Sequence, residues 1–141
     1  MKSTAITMKE ITYWFLSIAR ESLWAPLSVF CLYLFGLAFY LYDVYPRLDI
    51  PTHFMGGVTI TYFYRVAIRN SQVFIGEIPL TVQVLFAFTC TGTTVVLWEF
   101  YEIILDTFLK THMVLGLSDT IKDMFLGLFG AVVFSLLYRR R

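Results

Sequence analysis

The stretch "PLTVQVLFAFTCTGTTVVLWEFYEIIL", residues 79–105, decides the fold of this chain. It is longer than the roughly 20 predominantly apolar residues that an α-helix needs to cross a bilayer. Its charged residues are Glu99 and Glu102, which lie near its end. The stretch therefore predicts a membrane-spanning helix that carries two carboxylates.

The composition of the whole chain agrees with a membrane protein. The 141 residues are 58% hydrophobic and their mean hydropathy is +0.71, far above the values typical of soluble domains. The formal net charge of +1 excludes a protein that binds nucleic acid through a basic surface. Cys31 and Cys90 lie within apolar runs, where we expect buried thiols that act as small hydrophobic groups. We therefore expect one membrane domain over residues 1–141 and no nucleic-acid partner.

Four stretches in all are long and apolar enough to span a bilayer. Proline lies near the start of three of them, as Pro26, Pro51 and Pro79, where its missing N–H suits the first helical turn. Thr120, with Asp123 three residues later, has the spacing of a capping box at the start of the last one. The predicted transmembrane helices are residues 24–42, 50–68, 79–105 and 120–138.

Residues 8–22, ahead of the first predicted span, form an amphipathic pattern. Ile11, Trp14, Phe15 and Ile18 repeat at helical spacing among polar residues. Their apolar stretch is too short to cross a bilayer, so we expect an interfacial helix. The predicted fold class is all-α: an integral membrane four-helix bundle preceded by an N-terminal interfacial amphipathic helix.

The orientation follows from the distribution of lysine and arginine, because short basic loops stay in the cytoplasm. If both termini are cytoplasmic, most basic residues lie inside, and most acidic residues lie outside, at the extracytoplasmic ends of the helices. We therefore expect a multi-pass protein of a bacterial cytoplasmic membrane with both termini in the cytoplasm. The inner basic residues are Lys2, Lys9, Arg20, Arg65, Arg69, Arg139, Arg140 and Arg141, and the outer ones are Arg47, Lys110 and Lys122.

The outer acidic residues fall into three helical stripes. Residues spaced by three, four or seven positions share one face of a helix, and three of the four predicted spans carry such a set near the same membrane depth. Ionisable groups within a span cost about 2.5–3.5 kcal/mol each, so they normally face a bundle interior or a water-filled cavity. The stripes are Asp49 with His53, Glu99 with Glu102 and Asp106, and Asp119 with Asp123.

So many carboxylates close together need protons, basic neighbours or a cation. Oxygen ligands with one imidazole suit Mg²⁺, Mn²⁺, Ca²⁺ or Zn²⁺, and the spacing does not choose among them. The candidate metal ligands are therefore Asp49, His53, Glu99, Glu102, Asp106, Asp119 and Asp123, and the candidate catalytic residues are His53, Glu99 and Glu102.

Structural roles are the alternative for each of these residues. Asp106 and Asp119 lie at helix ends, where a capping or solvated role is equally compatible with the pattern. Glu99 and Glu102 could form a structural ion pair or hydrogen-bond network that holds helices together. Lys122 is expected to be a local counter-ion.

Three motifs resemble those of the YjdF-like small bacterial inner-membrane proteins and, more loosely, of the VanZ-like proteins. They are "DIPTHFMGG" (49–57), "WEFYEIILD" (98–106) and "LSDTIKDMFLGLFGAV" (117–132). VanZ-like proteins are associated with resistance to lipoglycopeptide antibiotics, so the resemblance implies a role with lipids or the cell envelope. It implies no particular reaction.

Two classes of function remain. One is a membrane enzyme or lipid-binding protein whose polar site holds a divalent metal ion or uses His53 as a general base. The other is a non-enzymatic transporter of cations, protons or small molecules, or an antibiotic-resistance binding protein. Membrane lipids are the expected partners, and a homo-oligomer would enlarge the limited interior that a chain of 141 residues can enclose.

Overall fold

A computed structural model describes residues 7–138, which are largely helical and contain no β-strand within that range. The helices are α1 (Met8–Ile18), α2 (Trp24–Ala38), α3 (Leu41–Val44), α4 (Asp49–Ile75), α5 (Leu80–Leu109) and α6 (Leu117–Leu137). Three helical segments are long and apolar enough to cross a membrane: Met8–Ala38, Leu80–Leu109 and Leu117–Leu137. Lys2 and the three terminal arginines, which enter the charge count, lie outside the described residues.

The predicted break between an interfacial helix and a first span is wrong. Helices α1 and α2 are joined by a π-helical turn, Ala19–Leu23, so one helix runs from Met8 to Ala38. Pro26 therefore lies inside this helix and does not start one. Because Pro26 has no N–H, its helical hydrogen bond is missing, and a wide π turn is a usual way for a helix to absorb such an irregularity.

The remaining predicted boundaries differ by up to seven residues, since the helix predicted over residues 50–68 runs from Asp49 to Ile75. The first span ends at Ala38 and not at residue 42, since Tyr40 adopts left-handed backbone with φ 54°. Pro79 is the N-cap of α5, as its position near a helix start predicted. Helix α6 begins at Leu117 after Gly116, whose φ is 125°, and it has no side-chain cap. The capping box predicted at Thr120 is therefore wrong, because the chain is already helical there.

Helix α4 is the central element of the bundle. It contacts α1, α2, α5 and α6, and it is also the long helix whose composition falls outside the pattern typical of a membrane span. The position of α4 and its composition are connected, because a helix that is shielded by its neighbours can carry buried polar residues. Those on α4 include Thr61, which contacts Thr91 of α5 at 3.0 Å between hydroxyl oxygens, and the buried Arg65.

Small residues let α4 and α6 approach closely. A Cβ placed on Gly57 would overlap the backbone carbonyl of Gly127, and a Cβ on Gly130 would overlap the carbonyl oxygen of Phe54. Close backbone contact through small residues is a common way for membrane helices to associate. The free cysteines do not follow the prediction of burial, since Cys31 is exposed and Cys90 half-buried.

Gly57→Ala should destabilise the bundle, because its methyl group meets backbone that cannot rotate away. We expect a loss of about 1–3 kcal/mol in the free energy of unfolding, the usual cost of overpacking. Gly56→Ala is the matched control, since a Cβ there meets no atom within 4 Å. Thermal unfolding in detergent micelles compares the two variants, and equal midpoints would contradict the close α4–α6 contact.

Candidate functional site

The polar residues that the sequence placed on three helices come together at one end of the bundle. Asp49 and His53 lie in the first two turns of α4, Glu99 and Glu102 lie in the second half of α5, and Asp123 lies in the second turn of α6. Helices α4 and α6 run in the same direction and α5 runs against them. The start of α4 therefore meets the start of α6 and the later turns of α5.

His53 is the centre of the arrangement. Its Nε2 lies 3.0 Å from Oδ1 of Asp49, one turn earlier on α4. Its Nδ1 lies 3.8 Å from Oε1 of Glu99 on α5. The first distance is that of a hydrogen bond and the second is longer than one. His53 therefore links two helices, and its two ring nitrogens face two different carboxylates.

Lys122 is the basic residue of the cluster, as the sequence predicted. Its Nζ lies 2.7 Å from Asp119, 3.2 Å from Asp49 and 3.3 Å from Asp123. The ammonium group of Lys122 thus lies within ion-pair distance of three carboxylates, one on α4 and two on α6. Among residues 7–138, neither Glu99 nor Glu102 forms an ion pair with lysine or arginine.

The two glutamates are deeply buried. Glu99 is 3% exposed, Glu102 is 2% exposed and His53 is 8% exposed. The Oε1 atoms of Glu99 and Glu102 are buried without a hydrogen-bond partner. Buried polar atoms are nearly always paired, and a buried charge is costly unless an opposite charge or a metal ion accompanies it. These two oxygens therefore need a proton or a cation.

Two sets of three ligands have donor atoms close enough to share a metal ion. They are His53 with Glu99 and Glu102, and Asp49 with His53 and Asp123, each with its donor atoms within 4.8 Å of one another. In the second set, the ammonium group of Lys122 lies within 3.3 Å of both Asp49 and Asp123 and would repel a cation there. The electrostatics therefore favour the first set.

Asp106 and Asp119 do not belong to either set of potential ligands. The carboxylate of Asp106 accepts hydrogen bonds from the Thr111 hydroxyl at 2.5 Å and from the backbone N–H groups of Met113 and Val114, both at 2.8 Å. Asp119 pairs with Lys122 and accepts from the N–H of Leu115 at 3.3 Å. Asp106 therefore orders the loop after α5 and caps neither helix, since the C-cap of α5 is Lys110 and the N-cap of α6 is Gly116.

Two aromatic residues beside the cluster were not predicted as part of it. Trp98 lies four residues before Glu102 on α5, so the two side chains share one face of that helix. Tyr33 of α2 is 1% exposed, and its ring centroid lies 4.8 Å from that of Trp98. A tyrosine in the middle of an apolar span is a signal that could have identified Tyr33, because its hydroxyl needs a polar environment. Tyr33 does not stand out in the sequence, because the chain has many other aromatic residues of the kind that normally mark membrane interfaces.

Comparison with known proteins finds one family. The family model described as "Predicted membrane protein (DUF2238)" matches residues 6–141. No curated protein and no solved structure matches the chain.

Asp106→Ala should loosen the connection between α5 and α6. The variant removes the acceptor of three hydrogen bonds, two of them from backbone N–H groups. Hydrogen bonds to a charged group contribute about 1.5–3 kcal/mol, and we expect a total loss of that size because Asp106 is half-buried. The measurement is thermal unfolding in detergent together with hydrogen exchange at residues 110–116.

Thr107→Ala is the control for this variant, since the Thr107 hydroxyl bonds only to the carbonyl of Ile103 in its own helix. It should change stability by less than about 0.5 kcal/mol. If Asp106→Ala were as stable as Thr107→Ala, the role of Asp106 in holding this loop would be wrong.

Proposed function

Because the chain belongs to the family described as "Predicted membrane protein (DUF2238)", we propose that it is a polytopic membrane protein whose His53, Glu99 and Glu102 bind a divalent metal ion. The three polar motifs support a YjdF-like assignment within this description, with the bacterial cytoplasmic membrane as its location. The observation that carries the metal proposal is the pair of buried Oε1 atoms on Glu99 and Glu102, which have no hydrogen-bond partner within residues 7–138 and lie next to His53.

The contacts of His53 support a division of roles within the site. Metal-binding histidines usually donate their second N–H to a carboxylate, which fixes the orientation of the ring. Asp49 occupies that position at 3.0 Å from Nε2, while Nδ1 faces Glu99. Asp49 is thus proposed to be a positioning residue, and His53 a ligand through Nδ1. Lys122 places one positive charge beside Asp49 and Asp123.

The donor set restricts the metal. One imidazole and two carboxylates suit Zn²⁺ or Mn²⁺, and carboxylates also suit Mg²⁺. Three protein ligands leave coordination positions open, which is the pattern of sites that act on a bound molecule. A metal ion at such a position acts as a Lewis acid on phosphoryl or carbonyl oxygens. We therefore favour binding of, or action on, a lipid or another envelope component.

A transporter of cations or protons is the second candidate. The same two carboxylates favour it, because buried acids without a basic partner are typical of proton relays. The two candidates differ in what Glu99 and Glu102 hold. A metal ion in the purified protein supports the first candidate, and titration of these two groups without metal binding supports the second.

We also propose that α4 crosses the membrane, which gives four spans with both termini in the cytoplasm. Its 27 residues extend about 40 Å at 1.5 Å per residue, enough to cross. Contacts near its end support this topology: Arg69 pairs with Glu21 and lies 3.4 Å from the hydroxyl of Tyr138. Glu21 and Arg69 belong to the side predicted to be cytoplasmic, whereas Asp49 at the other end belongs to the acidic outer side.

The purified protein should contain about one bound divalent metal ion, as expected for one set of three ligands. Elemental analysis measures it, and a chelator should lower the temperature of thermal unfolding, because a ligand bound only to the folded state stabilises it. His53→Ala and Glu102→Gln should lose the metal and the effect of the chelator.

Thr107→Ala is the matched control on α5 and should retain the metal. Glu102→Gln provides a second readout: without metal it should be at least as stable as the unmodified protein, since it removes a buried charge. The metal proposal would be wrong if the protein, after supply of Zn²⁺, Mn²⁺ and Mg²⁺, contained no metal and kept the same unfolding temperature in the presence of a chelator.

Single cysteines test the topology once Cys31 and Cys90 have been replaced by alanine. Val44, Glu77 and Lys110 are exposed and lie in the three connections between the long helices. A membrane-impermeant maleimide should label Val44→Cys and Lys110→Cys in intact cells, and Glu77→Cys only after permeabilisation. The charge distribution predicts this sidedness. Labelling of all three from one side would show that α4 and α5 do not cross.

A further inference from the structure

Two cavities of opposite character flank the site. The first, here called the groove, has a volume of about 320 Å³ and lies between α2, α4 and α5. Its walls are mainly apolar and include Phe30, Gly56, Ile60 and Trp98, and His53 lines one part of it. The rim residue Phe30 is exposed. In a bilayer, the groove therefore opens toward the acyl chains.

The second cavity, here called the vestibule, is polar. It has a volume of about 530 Å³ and lies at the end of the bundle where the acidic residues gather. It is lined by acids and bases together, namely Asp43, Asp49, Asp119, Lys110, His112 and Lys122. Of these, Lys110 and His112 form no ion pair with any residue between 7 and 138.

The two cavities lie on opposite sides of one pair of side chains and have no lining residue in common. His53 lines the groove and Asp49 lines the vestibule, and their side chains are 3.0 Å apart. A molecule that fills both cavities must have an apolar part and a polar part, with the junction between them beside this pair. Membrane lipids have that construction, and they are the molecules that surround the open rim of the groove.

We propose that the site binds one phospholipid, with an acyl chain in the groove and the phosphate-bearing head group in the vestibule. The inference rests on the proposed function, since a metal ion on His53, Glu99 and Glu102 would lie next to this junction. Lys110 and His112 are the groups that suit the phosphate, because an ammonium group forms charge-assisted hydrogen bonds with it and an imidazole N–H can donate a hydrogen bond to it. Asp43 suits a head-group amine.

Gly56 gives a way to block the groove without disturbing the fold. A Cβ at this position meets no atom within 4 Å, and the residue lines the groove. Gly56→Phe therefore places a ring in the space assigned to the acyl chain. Met55→Phe is the matched control, because Met55 is exposed on the neighbouring position of α4 and does not line the groove.

The test uses the full chain in nanodiscs with two photoreactive probes that carry the same diazirine-labelled acyl chain. One is phosphatidylethanolamine and the other is diacylglycerol, which lacks the phosphate. The phospholipid should cross-link to residues of the groove, and Gly56→Phe should lower the yield by about tenfold, equivalent to about 1.4 kcal/mol of binding free energy. Met55→Phe should leave the yield unchanged.

The head-group assignment has its own readout. Lys110→Ala combined with His112→Ala should lower cross-linking of phosphatidylethanolamine and leave that of diacylglycerol unchanged. Equal labelling by both probes in the unmodified protein would overturn the head-group assignment. Cross-links confined to outward-facing residues such as Met55, or insensitivity to Gly56→Phe, would overturn the groove assignment.

The same preparations separate this inference from the metal proposal. Their metal content is measured by elemental analysis alongside the cross-linking. Protein that holds a metal ion but does not cross-link the phospholipid in the groove refutes the lipid inference alone. Protein that cross-links the phospholipid in the expected manner but holds no metal refutes the metal proposal alone.

Discussion

The interaction on which this structure depends is the contact of His53 with carboxylates on both sides. A bilayer offers no water to solvate buried ionisable groups, so each must find its partner within the bundle. His53 meets Asp49 on its own helix and Glu99 on α5, and Lys122 extends the network to α6 through Asp49 and Asp123. Three helices are thereby connected at one end by groups that cannot separate without leaving charge buried.

This network is possible because α4 is enclosed by its neighbours. The close approach of α4 and α6 at Gly57, Gly127 and Gly130 brings the start of one helix beside the start of the other. A larger residue at any of these contacts would move Lys122 away from Asp49. Helix packing and electrostatics are therefore coupled: small residues set the distance between helices, and that distance sets which charges can pair.

The charged residues at the two ends of the bundle have different partners. At one end, Arg69 pairs with Glu21 and contacts Tyr138, and these contacts hold neighbouring segments of the chain together. At the other end, Glu99 and Glu102 retain buried oxygens without hydrogen-bond partners. Folding alone does not favour such oxygens. These oxygens lie beside His53 in a set of potential metal ligands, which is the reason to assign a ligand to the second end.

The sequence by itself determined the class of the protein and the membership of the polar stripes. Apolar length predicts membrane-spanning helices, and the helical period places Asp49 with His53, or Glu99 with Glu102, on one face, because both depend only on neighbours along the chain. Only the tertiary structure decided that Asp106 bonds to its own loop, that α1 continues into α2, and that His53 faces Glu99. The contact of His53 with Glu99 depends on the distances and rotations between helices, which are set by side-chain packing among residues far apart in sequence. The other two facts depend on local backbone geometry, which apolar length and helical period do not specify.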